Sequence, residues 1–307
     1  MEANSNFTKN INILNSLFFG WHNQLNKTSL DKNRDANLFE IRNPRVDQAP
    51  FYYLKNNEND RFIFQNNQTE VEYNLNKQGF RTDNFKRIEN GEKNILISGC
   101  SMTFGTAMPL EKTWPEILKN KLNENDKINV YNLGVSGLDT TRIISNCYNF
   151  ITEYGIPDYV LLVLPPIYRS LIISRNLQVR QRPMLEEDPI KYINGLFEQG
   201  EDENFFKPMV LYNNIISLIN LESFCKINNI KLIWFSWDES SQFIYENLDF
   251  KNILTKQYFL NKLEYVIEKY EKDLKKDRNW DFADDKDHPG LKLQLTWFEM
   301  FYDCITK

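Results

Sequence analysis

Cysteine and histidine are both scarce. The four cysteines, Cys100, Cys147, Cys225 and Cys304, are scattered with no Cys-x-x-Cys pair. That spacing excludes a disulfide framework, argues against a zinc site and fits a reducing compartment. The histidines number two, His22 and His288, so imidazole chemistry must run through one of them. Positive charge is not in excess: 37 Lys plus Arg against 42 Asp plus Glu leave a net charge of −5. No nucleic-acid partner and no polybasic membrane anchor is expected from that balance. Long hydrophobic runs are missing too. The longest, Tyr159–Pro166, has the length of a strand, and Ile13–Trp21 is too short to span a bilayer. The opening MEANSNFTKN has neither the basic segment nor the apolar stretch of a signal peptide. Cytoplasmic residence is the resulting expectation, with a viral or particle-associated origin left open. No repeat of fixed period is visible.

What is present suits a folded α/β chain. Of 307 residues, 41% are hydrophobic and 26% charged, ordinary values for a globular protein able to bury a large core. Composition shifts near residue 90. Residues 1–90 are rich in Asn and aromatics, and Phe51–Leu54, Arg61–Gln65 and Val71–Leu75 predict short strands separated by turn-like stretches. This region reads as a β-rich N-terminal appendage with a helix at Asn10–Gln24, and for His22 within it a structural or surface role is expected.

Residues 91–307 alternate strands with helices. Strands are predicted at Asn94–Ser98, Ile128–Leu133, Tyr159–Leu164 and Ile230–Trp237. Helices are predicted at Thr113–Asn123, Thr140–Tyr154, Pro208–Asn228, Leu254–Lys275 and Leu291–Ile305. Thr113 and Glu116 match a capping box, and Gly155 suits a left-handed cap. Leu260, Leu263, Ile267, Tyr270 and Leu274 share one helical stripe. Residues 170–207 are polar and irregular, a loop-rich insertion. The pattern predicts a three-layer α/β/α sandwich around a central parallel sheet. Sites in such sheets lie outside the carboxyl ends of the strands.

That rule points first to Gly99-Cys100-Ser101-Met102-Thr103-Phe104-Gly105, just past the first of these strands. A serine between glycines there stands at the sheet's edge, where backbone N–H groups can face an anion; taken alone, a turn former is the more frequent role. His288 lies in Asp284-Asp285-Lys286-Asp287-His288-Pro289-Gly290, before the last helix. An Asp three residues ahead can accept from one imidazole nitrogen and leave the other to act as a base, which a serine nucleophile needs. A solvated acidic loop is the plain alternative, and a carboxylate metal site from Asp284, Asp285 and Asp287 the third.

The combination resembles the SGNH, or GDSL, hydrolases: esterases, lipases and carbohydrate deacetylases on a flavodoxin-like fold. Ile95-Leu96-Ile97-Ser98-Gly99-Cys100-Ser101 is similar to the family's first block, with Cys100 where an Asp is usual. Trp114-Pro115 follows as it often does there. Asn132-Leu133-Gly134-Val135-Ser136-Gly137 resembles the second block, and Asp285-x-x-His288-Pro289-Gly290 the last. The resemblance implies Ser101 as nucleophile, His288 as base, Asp285 as its orienting carboxylate, and the N–H groups of Ser101 and Gly137 as the oxyanion hole. One block departs. Where the family often carries Gly-x-Asn-Asp, this chain has Leu164-Pro165-Pro166-Ile167-Tyr168-Arg169. Prolines have no N–H to donate, and Arg169 is the candidate to supply charge instead. Trp237, at the end of the fourth of these strands, is a candidate cleft residue. A segment ahead of the nucleophile, Tyr73–Arg81, resembles a stretch of some bacterial and phage members, and for Arg81 a substrate contact is the lesser reading.

The expected function is a serine esterase for an O-acyl group, an O-acetyl group on a carbohydrate above others, with a small-molecule or glycan ester as partner and no metal or organic cofactor. Two rivals stand beside it: a non-catalytic binding or structural module on the same fold, and an O-acyltransferase that shares the triad. Oligomeric state is not legible.

Overall fold

The structure is a computed structural model that describes residues 51–54, 61–66, 69–76, 78, 80–89, 91–124, 127–173, 179–182, 203–248, 250–284 and 288–307. The expected helix at Asn10–Gln24, His22 and most of the insertion lie outside these residues. Strands β1 (Phe51–Leu54), β2 (Arg61–Asn66) and β3 (Thr69–Asn74) form an antiparallel meander. It begins where the turn-separated aromatic stretches predict it. Beyond its outer strands it joins the main core: Val71, Tyr73 and Leu75 are buried at period two, and Phe80 and Phe85 follow them inward.

Strand β4 (Lys93–Gly99) leads into a single helical turn, α1 (Ser101–Phe104), and then into helix α2 (Trp114–Leu122). Strand β5 (Ile128–Asn132) and helix α3 (Thr140–Tyr154) come next, then β6 (Tyr159–Leu164). A short antiparallel pair, β7 (Ser170–Ile173) and β8 (Val179–Arg182), follows, so the insertion is not wholly loop. Helix α4 (Glu203–Ile227) starts inside the expected insertion and runs to strand β9 (Lys231–Ser236). Helices α5 (Glu239–Glu246), α6 (Lys256–Leu274) and α7 (Leu291–Thr306) complete the chain.

The central sheet has the order β5-β4-β6-β9, all parallel, with helices flanking it. Ser98 donates to the carbonyl of Ile143 (3.3 Å), which puts that face of β4 against α3. Ile95, Leu96 and Ile97 are all fully buried, as a strand covered on both faces requires. On another side of the core, Trp114 of α2 stacks on Phe301 of α7, ring centroids 4.9 Å apart. The three-layer α/β/α architecture expected from the alternating pattern is the one observed.

Local details depart from the expectation. Thr113 precedes α2 but makes no capping box. Its hydroxyl closes the preceding 3-10 turn on Leu110 (2.8 Å), while the Trp114 N–H is taken by Gln294 Oε1 of α7 (2.9 Å). Gly155 has φ 113° and ψ 178°, an extended glycine conformation rather than a left-handed helical cap. Helix α6 buries Val266, and of the expected stripe Tyr270 and Leu274 pack against the core while Leu260 is 42% exposed.

At the end of β4 the glycine is a steric requirement. A Cβ on Gly99 would lie 2.0 Å from Thr103 Oγ1 and 2.8 Å from the Val163 carbonyl oxygen. Gly99→Ala must push α1 off the sheet edge, an overpacking cost of about 1–3 kcal/mol. Chemical denaturation should therefore show a lowered midpoint for this variant; an unchanged midpoint would mean that the turn after β4 is slack.

Candidate active site

Ser101 opens the one-turn helix at the carboxyl end of β4, preceded by Cys100, and is 8% exposed. The first N–H groups of a helix have no partner within it. Among the described residues, neither the Ser101 N–H nor the Gly137 N–H has a hydrogen-bond partner. Gly137 sits at φ 77° in the turn closed by the Leu138 N–H on the Val135 carbonyl (3.3 Å), a conformation that favours glycine. The loop that carries it lies along α1. The Val135 N–H donates to the Gly99 carbonyl (3.2 Å), and the Thr106 and Ser136 hydroxyls pair at 2.5 Å. A Cβ on Gly134 would come within 2.7 Å of the Phe104 nitrogen. Asn132 is buried in the seam, donating from Nδ2 to the Thr103 carbonyl (3.1 Å) and accepting the Gly134 N–H (2.8 Å). Its side chain is structural, as expected for a residue at a strand end.

The histidine loop is tied to the same piece of chain. Asp284, buried, donates its backbone N–H to the Ala107 carbonyl (3.0 Å) and accepts from Asn279 Nδ2 (2.9 Å) and Arg278 Nη2 (3.2 Å) on its two carboxylate oxygens. The Ala283 N–H donates to the His288 carbonyl (2.9 Å), and Phe282 bridges Pro289. Gly290 fits where a Cβ would meet the Asn279 carbonyl at 2.0 Å. His288 is half-buried in this loop. Asp285, with Lys286 and Asp287, lies outside the described residues. Among the described residues no group of three His, Cys, Asp or Glu is placed to hold a metal ion. Asp284, one of the three carboxylates weighed for such a site, is held by Arg278 and Asn279 instead.

Ala107 is a joint between the two loops. It is fully buried at φ 56°, a left-handed conformation that costs a non-glycine residue about 1 kcal/mol or more. Its N–H donates to the Tyr73 hydroxyl (2.6 Å) while its carbonyl takes Asp284. Arg81 completes the hold. It is 1% exposed, its Nη1 donates to the carbonyls of Phe104 (3.2 Å) and Gly105 (2.8 Å), and its Nη2 to Met108 (2.9 Å). Its guanidinium lies 4.7 Å from the Tyr73 ring centroid and 5.6 Å from that of Phe104. Burial pushes its pKa down to about 10, which leaves it charged at neutral pH. Arg81 therefore holds the loop after α1 through its backbone carbonyls. The sequence signal that could have flagged it was the cation inside the aromatic run before β4.

At the far side of Ser101 three strand ends converge. The Trp237 indole N–H, after β9, donates to Cys100 Sγ (3.3 Å). Arg169, after β6, places its guanidinium carbon 5.9 Å from the Trp237 ring centroid and donates weakly from Nη1 to the Leu138 carbonyl (3.5 Å). The fold thus gathers Cys100, Leu138, Arg169 and Trp237 beside Ser101. Cys100 is fully buried and acts as the indole's acceptor. The other two buried thiols sit away from the serine: burial pushes Cys147 and Cys225 up to about 12, so both stay protonated.

The segment after β6 offers little to an oxyanion. Pro165 and Pro166 lack an N–H. The Ile167 N–H is taken by Ser241 Oγ (2.7 Å), and the Arg169 N–H by the Pro166 carbonyl (2.9 Å). A buried pair that the motif reading passed over stands one turn into α3. The Arg142 side chain lies 3.3 Å from Asp139, whose carboxylate also caps the Arg142 N–H (2.9 Å). The signal was the i, i+3 spacing at a helix start.

No family model matches the sequence, and no curated protein matches it. Among solved structures the chain is similar to TesA, at 13% identity over 70% of this chain and 98% of that one, with a TM-score of 0.41. It is also similar to a lipolytic G-D-S-L family member from Veillonella parvula, at 15% identity over 70% and 99%, with a TM-score of 0.39. A third is the acetyl xylan esterase AlAXEase, at 14% identity over 69% and 99%, with a TM-score of 0.38.

Replacing Arg81 by Met removes the three hydrogen bonds that its guanidinium gives to backbone carbonyls. Hydrogen bonds to charged groups contribute about 1.5–3 kcal/mol each, offset here by the cost of burying the cation. Arg81→Met should lose about 2 kcal/mol of stability, and amide exchange at Thr106–Met108 should accelerate. Protection of those amides at the wild-type level would show that Arg81 does not hold the loop.

Proposed function

We propose that this protein is a serine esterase that hydrolyses an O-acyl ester, with an O-acetyl group on a carbohydrate as the substrate class. The observation that carries the reading is the tie between two loops. The turn that starts at Ser101 and the loop that ends at His288 are joined through Ala107 and Asp284, so the only described histidine belongs to the nucleophile's own neighbourhood.

In this reading Ser101 Oγ attacks the ester carbonyl carbon while His288 takes the hydroxyl proton. The Ser101 and Gly137 N–H groups receive the negative oxygen of the tetrahedral intermediate. Collapse breaks the bond to the alkoxy oxygen, and His288 passes its proton to the departing alcohol. Water, activated by the same imidazole, then cleaves the acyl-enzyme and releases the acid. Asp285 orients the imidazole and stabilises its charged form. Each oxyanion donor is worth about 10²–10³ in rate, so a hole without a donor from the segment after β6 sets a modest turnover. No described helix is long and apolar enough to cross a membrane.

The same engaged segment favours a second reading, a binding module that has lost turnover. Parallel assays separate the two. Wild type should release p-nitrophenol from p-nitrophenyl acetate, and Ser101→Ala should not. The Ser101 hydroxyl has only a 4.0 Å contact to Cys100 Sγ, so the variant's melting temperature should stay within about 2 °C of wild type. Equal release by both proteins would remove Ser101 as the nucleophile and favour the module.

A further inference from the structure

Among the described residues, Arg169 carries a charge that no carboxylate balances: none lies within ion-pair distance of it. The two acidic residues nearest in chain to its contacts are engaged elsewhere. Asp139, beside Leu138, is paired with Arg142. Asp238, beside Trp237, accepts the backbone N–H of Ser241 (2.8 Å) and its hydroxyl (2.5 Å). Arg169 itself is half-buried, its Nε is shut from solvent without a partner, and its Nη1 reaches only the Leu138 carbonyl at 3.5 Å. Five guanidinium donors in a fixed fork suit a carboxylate or phosphate, and removal of a cation from water is costly until an anion arrives.

The place matters as much as the charge. Leu138 follows Gly137 in the chain, and the indole beside Arg169 is hydrogen-bonded to Cys100, the residue before Ser101. The unbalanced cation therefore stands at the rim of the proposed esterase site, on the side where the ester's remaining portion would lie.

We propose that Arg169, with Trp237 as its apolar backing, is the receptor for an oxyanionic group of the substrate, so that the ester cleaved at Ser101 is borne by an acidic molecule. The proposal rests on the esterase reading for its location and narrows it: the favoured carbohydrate is an acylated acidic sugar, its anion a carboxylate or a phosphate.

A matched pair of esters tests this, 4-acetoxybenzoate and its methyl ester, which differ by one charge. Wild type should prefer the charged ester. In Arg169→Gln the ratio of kcat/KM values, charged over methyl, should fall about 10- to 100-fold, the scale of a lost charged pair, and Arg169→Lys should recover part of it. A ratio that does not change between wild type and Arg169→Gln would overturn the proposal, and so would equal losses on both esters, which would place Arg169 at the reacting carbonyl. Should neither ester be turned over beyond the Ser101→Ala background, the esterase reading fails separately. Calorimetric titration with 4-hydroxybenzoate and with inorganic phosphate then decides the anion site on its own. Binding to wild type that is lost in Arg169→Gln supports the receptor, and the tighter of the two ligands assigns carboxylate or phosphate. Binding of neither, or equal binding to both proteins, removes it.

Discussion

Three backbone carbonyls facing one buried guanidinium hold the site together. A helix of a single turn ends almost as soon as it begins, and its last carbonyls have no N–H groups ahead to receive them. The last carbonyl of α1 is that of Phe104, and those of Gly105 and Met108 follow in the loop behind it. Arg81 supplies two nitrogens to them, and Gly105 turns away in a left-handed cap at φ 74°. The negative end of this short helix is thereby met by positive charge, while its opposite end keeps N–H groups directed to the sheet's edge. Arg81 adds this hold to the bonds that the Gly105 and Thr106 N–H groups give the Ser101 carbonyl (2.9 and 3.1 Å).

Arg81 also fixes how the parts of the chain depend on one another. It comes from the segment after the β1–β3 meander, and Tyr73 of β3 serves the same loop through Ala107. The loop in turn holds Asp284, and Ala283 beside it donates to the His288 carbonyl. Contacts from four separated regions of the chain thus converge on residues 104–108. The central sheet provides a rigid edge, and this loop transmits that rigidity to the histidine.

The regular layers were legible because period and length leave few choices. The continuous apolar run of β6 and the bounds of α3 appear in the structure where the sequence predicts them. Features decided by distant partners were not legible. Thr113 had the right spacing for a capping box, yet its hydroxyl closes on the Leu110 carbonyl instead. Of the stripe on α6, Tyr270 and Leu274 pack against the core, while Leu260 faces outward. Helix α5 has no long apolar face, and its local signal is the Asp238 cap on Ser241. At the site, the serine and the glycine turn were readable as motifs because backbone geometry demands glycine near them. The guanidinium of Arg81 and the pairing of Arg169 with Trp237 were not, since each is made by residues brought together only in the fold. Asp285 lies outside the described residues.

The contact between Trp237 and Cys100 has an optical side. Among the described residues Trp114, Trp234, Trp280 and Trp297 are all buried, while Trp237 is half-exposed, its indole nitrogen against a thiol one residue from the serine. Sulfur at that distance is a quencher of indole emission, and the ring's open face meets solvent. Light emitted from this one side chain therefore carries information about the state of the serine's surroundings. The fold has placed an intrinsic fluorophore where occupancy of the cleft alters both its polarity and its quenching.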